Sequence, residues 1–211
     1  MDNFRIIEKA AQAQITERKS KFIAHVMPVE SVEEAEEFIA SKKKEYWDAR
    51  HNVSAFTVGE SSPVTRCSDD GEPSGTAGRP VLEVITSGDL RNVAIVVTRY
   101  FGGILLGTGG LVRAYTQAAQ AGIREAGVVD VIPGMGMHVV TDYTAFGKIK
   151  NYFEEQQVDI THIDYGAQVT VDIGVPEENV VPVMEKIIDL SNGTAEVSTT
   201  EPIMIKKLLQ F

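Results

Sequence analysis

The fold is decided by residues 97–115, which read VTRYFGGILLGTGGLVRAY. Five of the nine residues from Gly102 to Gly110 are glycine. Glycine loses more backbone freedom on folding than any other residue, so this density indicates a loop that needs positive φ or a close backbone approach. An apolar run, residues 93–97, precedes the loop, and a segment with helical spacing follows it. The stretch predicts a strand, a glycine loop and a helix, whose unpaired N–H groups can receive an anion.

A second informative block is DDGEPSGTAGRP at residues 69–80. Its acids Asp69, Asp70 and Glu72 have two interpretations. They are either metal ligands or an acid/base pair, or they belong to a turn in which carboxylates cap backbone N–H groups or pair with Arg79, Arg99 or Arg113. The spacing differs from that of an EF-hand. Acids in Gly/Pro loops are mostly structural, which favours the second interpretation.

The other elements of the N-terminal part follow from hydrophobic spacing. Ser31 and Glu34 form a predicted capping box, with Ser31 as N-cap and Glu34 reaching back to the free N–H. The glycine- and proline-rich residues 61–79 are predicted to form one long loop, and loops of that length are usually functional or disordered. Strands are expected at residues 13–18, 22–28, 51–59 and 91–100, and helices at residues 31–46, 80–86 and 110–126.

The C-terminal part follows a βαββαβ pattern. Residues 131–134, Val-Ile-Pro-Gly, are interpreted as a linker, which gives domains at residues 1–132 and 135–211. The order βαββαβ is the ferredoxin-like arrangement. The predicted fold class is therefore α/β (α+β). The expected elements are strands at 137–141, 158–163 and 168–173, helices at 145–156 and 176–190, and a strand or hairpin at 194–208.

Composition and charge narrow the class of protein. The chain has 211 residues, a net charge of −10 and one cysteine, Cys67, which excludes an internal disulfide and a zinc motif. The acidic balance argues against a protein that coats nucleic acid. Yet residues 90–124 hold four arginines and neither acids nor lysines, so this segment carries +4 and the remainder −14. With neither a signal peptide nor an apolar run long enough for a membrane span, we expect a cytoplasmic protein.

Other motifs give weaker indications. The GTGG of residues 107–110 lacks the lysine of a P-loop and the spacing of a dinucleotide fingerprint, so nucleotide binding is weakly supported. Two interpretations of this motif remain, an anion site at the start of the helix and close packing of the strand on the helix. His51 could carry a proton near neutrality, but no nucleophile is identified beside it, which favours a structural histidine. Tyr100 and Phe101 either stack on a base or anchor the loop by packing.

The two blocks, with Ser20-Lys-Phe22 and His51, make the sequence similar to the IMPACT/YigZ family. The resemblance implies an N-terminal domain like the second domain of a small-subunit ribosomal protein and domain IV of elongation factor G. It implies a C-terminal domain like domain V of that factor. Eukaryotic members of the family are translational regulators of the amino-acid-starvation stress response, and they carry an additional N-terminal domain. The family offers no settled catalytic residues.

We therefore expect a translation-associated regulatory protein that binds the ribosome, RNA or a translation factor, without catalytic residues, metal or cofactor. The alternatives are an enzyme, a hydrolase or phosphate-ligand enzyme with a pocket between residues 69–76 and 102–110, and a protein–protein adaptor that uses the acidic C-terminal domain. Arg99, Arg113 and the glycine backbone are expected to contact phosphate. The predicted binding residues are His51, Asp69, Asp70, Gly71, Glu72, Ser74, Gly75, Thr76, Arg99, Tyr100, Gly102, Gly103, Thr108, Gly109, Gly110 and Arg113.

Overall fold

The computed structural model describes residues 3–208, which form ten strands and five α-helices. Within this range the chain divides into two compact units, Phe4–Asp130 and Val131–Lys207. The predicted mixed α/β class is confirmed. In order, the elements are β1 Phe4–Ile7, β2 Ala11–Glu17, β3 Ser20–Pro28, α1 Val32–Glu45, β4 His51–Val58, β5 Val64–Ser68, α2 Gly78–Ser87, β6 Val93–Tyr100, α3 Thr108–Ala126, β7 Val128–Thr141, α4 Tyr143–Glu155, β8 Asp159–Tyr165, β9 Val169–Pro176, α5 Val180–Leu190 and β10 Glu196–Leu208.

The N-terminal unit is built on a sheet with the strand order β2-β3-β6-β4-β5. Each neighbouring pair is antiparallel. The central strand β6 is buried from Val93 through Arg99, because helices cover both of its faces. Val93, Ile95 and Val97 join the core under α2 and α3, while Ala94 and Val96 join a smaller core under α1.

Helix α3 packs against β2 and β3 through small side chains. A Cβ at Gly122 would lie 2.7 Å from Val26 Cγ2, so the helix approaches the sheet more closely there than a side chain allows. Tyr115 is fully buried on the same helix face and meets the Phe22 ring edge-on at 5.1 Å between centroids. This packing holds the middle and the C-terminal part of α3 against the sheet.

The start of α1 differs in one contact from the prediction. Ser31 is the N-cap and its side chain accepts a hydrogen bond from the Glu34 N–H at 3.1 Å, as expected. The Glu34 carboxylate, however, accepts from the N–H of Glu30 at 2.7 Å rather than from that of the cap residue. The Glu34 side chain therefore bonds one residue further upstream than in a standard capping box, while Ser31 remains the N-cap.

Two other predictions are wrong. The predicted loop 61–79 contains β5, an edge strand paired with β4. All five β5 residues are exposed, so the strand lacks the apolar alternation that identifies half-buried strands. The predicted linker 131–134 lies inside β7, which continues through Pro133 and pairs with β9 from Gly134 onward.

The second sheet follows the order β1-β7-β9-β8, and β10 also pairs with β7. The β7–β9 and β8–β9 pairs are antiparallel. Helices α4 and α5 contribute Ile149, Phe153 and Ile187 to a core that also holds Met137 and Val171 from the strands. A short 3₁₀ helix, Glu177–Asn179, precedes α5, so the predicted helix 176–190 is divided in two.

Candidate functional site

The acid turn, residues 69–76, is held by its own first aspartate. The two carboxylate oxygens of Asp69 accept hydrogen bonds from the backbone N–H groups of Gly75 at 2.9 Å, Ala77 at 3.1 Å and Gly78 at 2.8 Å. Burial alone would raise the pKa of Asp69, but these three donors hold that pKa below its ordinary value. Asp69 therefore caps the first turn of α2 from eight residues upstream of Ala77 and closes the turn on itself.

The second aspartate attaches the turn to β4. Asp70 Oδ2 accepts the Asn52 N–H at 2.6 Å, and Asp70 Oδ1 lies 2.6 Å from Lys43 Nζ. Its backbone oxygen lies 2.8 Å from His51 Nδ1, and since a carbonyl can only accept, Nδ1 is the donor. Although burial would raise the pKa of Asp70, the bonds from Lys43 and Asn52 lower it. These contacts orient the imidazole of His51.

Glu72 lies at the centre of a buried cluster, which we call the Glu72 cluster: His51, Glu72, Arg99 and Tyr115. Arg99 Nη1 and the Tyr115 hydroxyl donate to Glu72 Oε1 at 2.5 and 2.8 Å, and His51 Nε2 lies 3.8 Å from Glu72 Oε2. Glu72 is 8% and Arg99 5% exposed. Burial and the adjacent Glu72 carboxylate raise the pKa of Tyr115 far above its ordinary value, so Tyr115 stays a neutral donor.

The remaining residues of the acid turn serve its conformation or face outward. The Thr76 hydroxyl donates to the Pro73 carbonyl at 2.7 Å and is buried. Ser74 and Gly75 are exposed. A Cβ at Gly71 would lie 3.6 Å from His51 Nδ1, so the turn backbone rests close to the imidazole edge.

The glycine loop, residues 101–107, is fixed at its base and exposed at its tip. A Cβ at Gly102 would lie 2.0 Å from the carbonyl carbon of Lys19, and the Gly102 N–H donates to Ser20 Oγ at 3.1 Å. The loop is thereby held against the turn between β2 and β3. Beyond this base, Ile104 is 42% and Leu105 81% exposed.

Aromatic residues next to the loop contact the segment between α1 and β4. The Tyr100 hydroxyl donates to Asp48 Oδ1 at 2.9 Å. The guanidinium of Arg50 lies 5.4 Å from the centroid of the Phe101 ring, within cation–π range. Phe101 is 38% exposed and Trp47 81% exposed, so apolar surface continues along this end of the sheet.

The structure brings the predicted residues into two places rather than one. His51, Glu72 and Arg99 meet in the Glu72 cluster, where Arg99 is buried against a carboxylate. Gly110 and Arg113 instead line a cleft beside the turn between β2 and β3. Thr108 and Gly109 begin α3, where the N-cap Gly107 supplies no capping side chain. Gly103 has φ +84° with nothing within 4 Å of a built Cβ.

Sequence reasoning missed several residues that complete these places. Tyr115 is not among the predicted binding residues, although its hydroxyl donates a hydrogen bond to Glu72. Lys43 and Asn52 hold Asp70, and Arg18 lines the cleft with Arg113. These residues come from α1, α3, β4 and the turn between β2 and β3, and the sequence carries no local signal for which of these elements meet.

Two further findings concern metal and membrane. Among residues 3–208, His, Cys, Asp and Glu side chains do not gather in threes that could hold a metal ion. In the same range, every helix is too short or too polar to cross a membrane.

Comparison with known protein families assigns both parts of the chain. The family model described as "Impact N-terminal domain" matches residues 18–123. The model described as "Domain of unknown function (DUF1949)" matches residues 139–194. The first match covers the acid turn, the glycine loop and most of α3.

Individual relatives agree with these matches. IMPACT family member YvyE of Bacillus subtilis (strain 168) is 39% identical over 207 residues, 98% of this chain and 95% of that protein. IMPACT family member YigZ of Escherichia coli (strain K12) is 33% identical over 186 residues, which are 87% of this chain and 91% of that protein. Protein IMPACT of Mus musculus is 37% identical over 98 residues, which are 44% of this chain and 30% of that protein.

A crystal structure described as that of a hypothetical protein is 32% identical and has a TM-score of 0.59, with 95% of this chain and 98% of that chain covered. The fold and the sequence therefore agree over nearly the whole length. The resemblance in residues 69–80 and 97–115 is confirmed, and the chain belongs to the IMPACT family.

Proposed function

We propose that this protein is a cytoplasmic, translation-associated regulator that binds the ribosome, RNA or a translation factor. It does so through the exposed part of the surface formed by residues 69–80 and 97–115. That part consists of the glycine loop, the start of α3 and Arg113. One observation carries the proposal: Leu105 is 81% exposed at the tip of a loop whose base is fixed by Gly102. Phe101 and Ile104 beside it are also exposed, and a group of neighbouring exposed apolar side chains is typical of a binding surface.

The Glu72 cluster favours binding over catalysis. A general acid or base must reach a substrate proton, whereas Glu72 is buried and already accepts from Arg99 and Tyr115. Asp69 and Asp70 are likewise engaged by backbone and lysine donors. These residues shape the surface from below and leave the glycine loop to contact a partner.

Family relationships support the link to translation. The proteins named Protein IMPACT in Danio rerio and Mus musculus each align with this chain over 98 residues. The resemblance to eukaryotic regulators rests on residues 69–80 and 97–115. Because only this portion is shared, we propose that the surface it carries is the common functional element, while partner identity differs between the two groups.

We further propose finer assignments for both units. The sheet of the N-terminal unit, covered by α1 on one face and α2 and α3 on the other, supports a likeness to the second domain of a small-subunit ribosomal protein. The sequence β7-α4-β8-β9-α5-β10, with neighbours β10-β7-β9-β8, supports a ferredoxin-like C-terminal unit. Fold likeness alone does not carry function, so the proposal rests on the exposed loop.

The test is co-sedimentation of the full chain with ribosomes over a series of salt concentrations. We expect binding at low salt that weakens as salt increases. Leu105→Ser should weaken it about tenfold, since losing one well-packed apolar contact costs about 1.4 kcal/mol. Val64→Ser is the matched control, because Val64 is an exposed apolar residue on the edge strand β5. Absence of sedimentation at low salt, or equal losses in both variants, would refute the proposal.

A further inference from the structure

A cleft of about 230 Å³ lies between the turn that joins β2 to β3 and the first turns of α3. It is entirely within the N-terminal unit and is separate from the Glu72 cluster. Two of its lining side chains are arginines from different elements, one on the turn and one on the helix. The lining includes Glu17, Arg18, Leu106, Gly110, Arg113 and Gln117.

The turn that supplies Arg18 has an unusual conformation. Glu17 pairs with Ser20, so Arg18 and Lys19 form a two-residue hairpin turn, and their φ angles are +44° and +66°. Positive φ at both positions belongs to a type I′ turn, which normally takes Asn-Gly. Arginine and lysine are unfavourable at these positions, because L side chains disfavour positive φ.

The Gly102 contact holds this turn in place. The glycine backbone lies against the Lys19 carbonyl, and its N–H bonds Ser20 Oγ. The glycine loop leads directly into α3, which begins at Thr108. The base of the loop therefore fixes the turn beside α3. Arg18 and Arg113 thereby line the same cleft.

The positive charge of the cleft is weakly neutralised. Within residues 3–208 no carboxylate lies in ion-pair range of Arg113, and the partner of Arg18 is Glu17 at 4.0 Å. Arginine is suited to phosphate because its planar fork donates two parallel hydrogen bonds. Gln117 adds an amide donor one turn further along α3. In a chain of net charge −10, the side chains of Arg18, Arg113 and Glu17 give this cleft a local positive charge.

We propose that this cleft binds a phosphodiester group of an RNA backbone, with Arg18 and Arg113 as its charged donors. The inference rests on the proposed function, because it names the chemical group of the ribosome or RNA that the protein contacts. Glu17 opposes the anion, so it limits affinity and keeps the site selective for a ligand that also contacts the neighbouring loop. Phosphate contacts position a protein on nucleic acid without reading sequence.

The experiment is an NMR titration of the ¹⁵N-labelled full chain with a short oligouridylate that lacks terminal phosphates. We expect the amide signals of Gly109, Gly110 and Arg113 to shift. Arg113→Gln and Arg18→Gln should each weaken binding about tenfold and lower the slope of log K against log salt by about 0.7. Arg124→Gln is the matched control, since it removes the same charge from α3 roughly 16 Å away and should change affinity less than twofold.

A variant of opposite sign separates direct binding from a structural effect. Glu17→Gln removes the opposing carboxylate and should strengthen oligouridylate binding about threefold, which damage to the turn would not do. A parallel titration with inorganic phosphate distinguishes sources of the anion. If inorganic phosphate alone shifts the cleft signals, or if Arg113→Gln and Arg124→Gln lose affinity equally, the inference is overturned.

Each of the two proposals can be refuted without refuting the other. Ribosome sedimentation that is unchanged in Arg18→Gln and Arg113→Gln refutes the phosphodiester site and leaves the ribosome-binding proposal intact. Oligouridylate binding in the cleft without ribosome sedimentation at low salt refutes ribosome binding and supports the phosphodiester site. Circular dichroism of each variant verifies that loss of affinity does not come from unfolding.

Discussion

At the residue scale, the most consequential arrangement is the buried pair of Arg99 and Glu72. Neither charge is exposed, so each depends on the other and on the Tyr115 hydroxyl for the solvation that water would supply. The guanidinium is not fully satisfied, since Arg99 Nε has no hydrogen-bond partner within the described residues. The aromatic rings of Phe22 and Phe101 compensate in part for this missing hydrogen bond. Their centroids lie 5.4 and 5.7 Å from Arg99 Cζ.

Removal of the carboxylate charge should therefore destabilise the protein more than removal of a neutral partner. We expect Glu72→Gln to lower the free energy of unfolding by about 3 kcal/mol, because it leaves Arg99 buried without a counter-ion. Tyr115→Phe deletes one hydrogen bond and should cost about 1 kcal/mol. Urea unfolding followed by circular dichroism measures both. Equal losses would show that Glu72 acts as a neutral hydrogen-bond acceptor only.

At the element scale, the glycine loop and the β2–β3 turn form one unit. The Lys19 backbone fills the space where a side chain at residue 102 would be. Gly109 provides the contrast, because nothing lies within 4 Å of a Cβ built there and the residue is within α3. The packing therefore requires glycine at position 102 but not at position 109, seven residues further along the chain.

The substitutions Gly102→Ala and Gly109→Ala test this difference. The first should destabilise the protein by about 3 kcal/mol, since backbone must move to admit the methyl group. The second should leave stability unchanged or raise it by about 0.5 kcal/mol, because alanine is the better helix former. Thermal unfolding of the two variants gives the comparison. A Gly102→Ala protein as stable as the wild type would contradict the close approach.

Elements with strong local signals were predictable from sequence, and those set by distant partners were not. The run Val93–Val97 and the small-residue face of α3 identify a buried strand and a packed helix. Strand β5 has no such pattern, because its pairing with β4 leaves every side chain exposed. Pro133 and Gly134 suggest a turn, yet Pro133 precedes the first residue of β7 paired with β9, a position where a missing N–H is tolerated.

The candidate site shows the same division. Its glycines and acids were identified from their density in the sequence, but their roles depend on register. Glu72 reaches Arg99 only because His51 in β4 pairs with Arg99 in β6, which brings the acid turn over the end of the sheet. Arg113 is separated from that cluster because it lies two residues before Tyr115 on α3, about 200° around the helix axis. This separation follows from helical spacing, whereas the partners of Tyr115 do not.

At the scale of the whole molecule, the two units have separate hydrophobic cores. Residues 4–130 have two hydrophobic cores, one on each face of the first sheet. Residues 131–207 have one core, which is formed by β7, β9, α4 and α5. His25 is buried in the N-terminal unit, and its ring lies 4.7 Å from that of Tyr46. Burial, aided by Lys42, lowers the pKa of His25 from 6.5 to about 4.

These facts predict two unfolding transitions with different responses to acid. Between pH 6.5 and about 4 the unfolded chain binds a proton at His25 that the folded chain excludes, so stability falls as pH decreases through this window. The N-terminal transition should lose roughly 2–3 kcal/mol. Calorimetry of His25→Gln should show that this loss has disappeared, whereas His162→Gln, at an exposed position, should retain it. Ile149→Ala identifies the other transition by lowering it alone.

The single tryptophan has a practical consequence for all of these experiments. Trp47 is 81% exposed in the folded state, so its indole is already hydrated and its emission will change little when the chain denatures. The same exposure makes it a built-in optical reporter of docking. It adjoins Asp48, which binds Tyr100 beside the glycine loop, and a blue shift on mixing with ribosomes would signal that a partner has covered this end of the sheet, without any added dye.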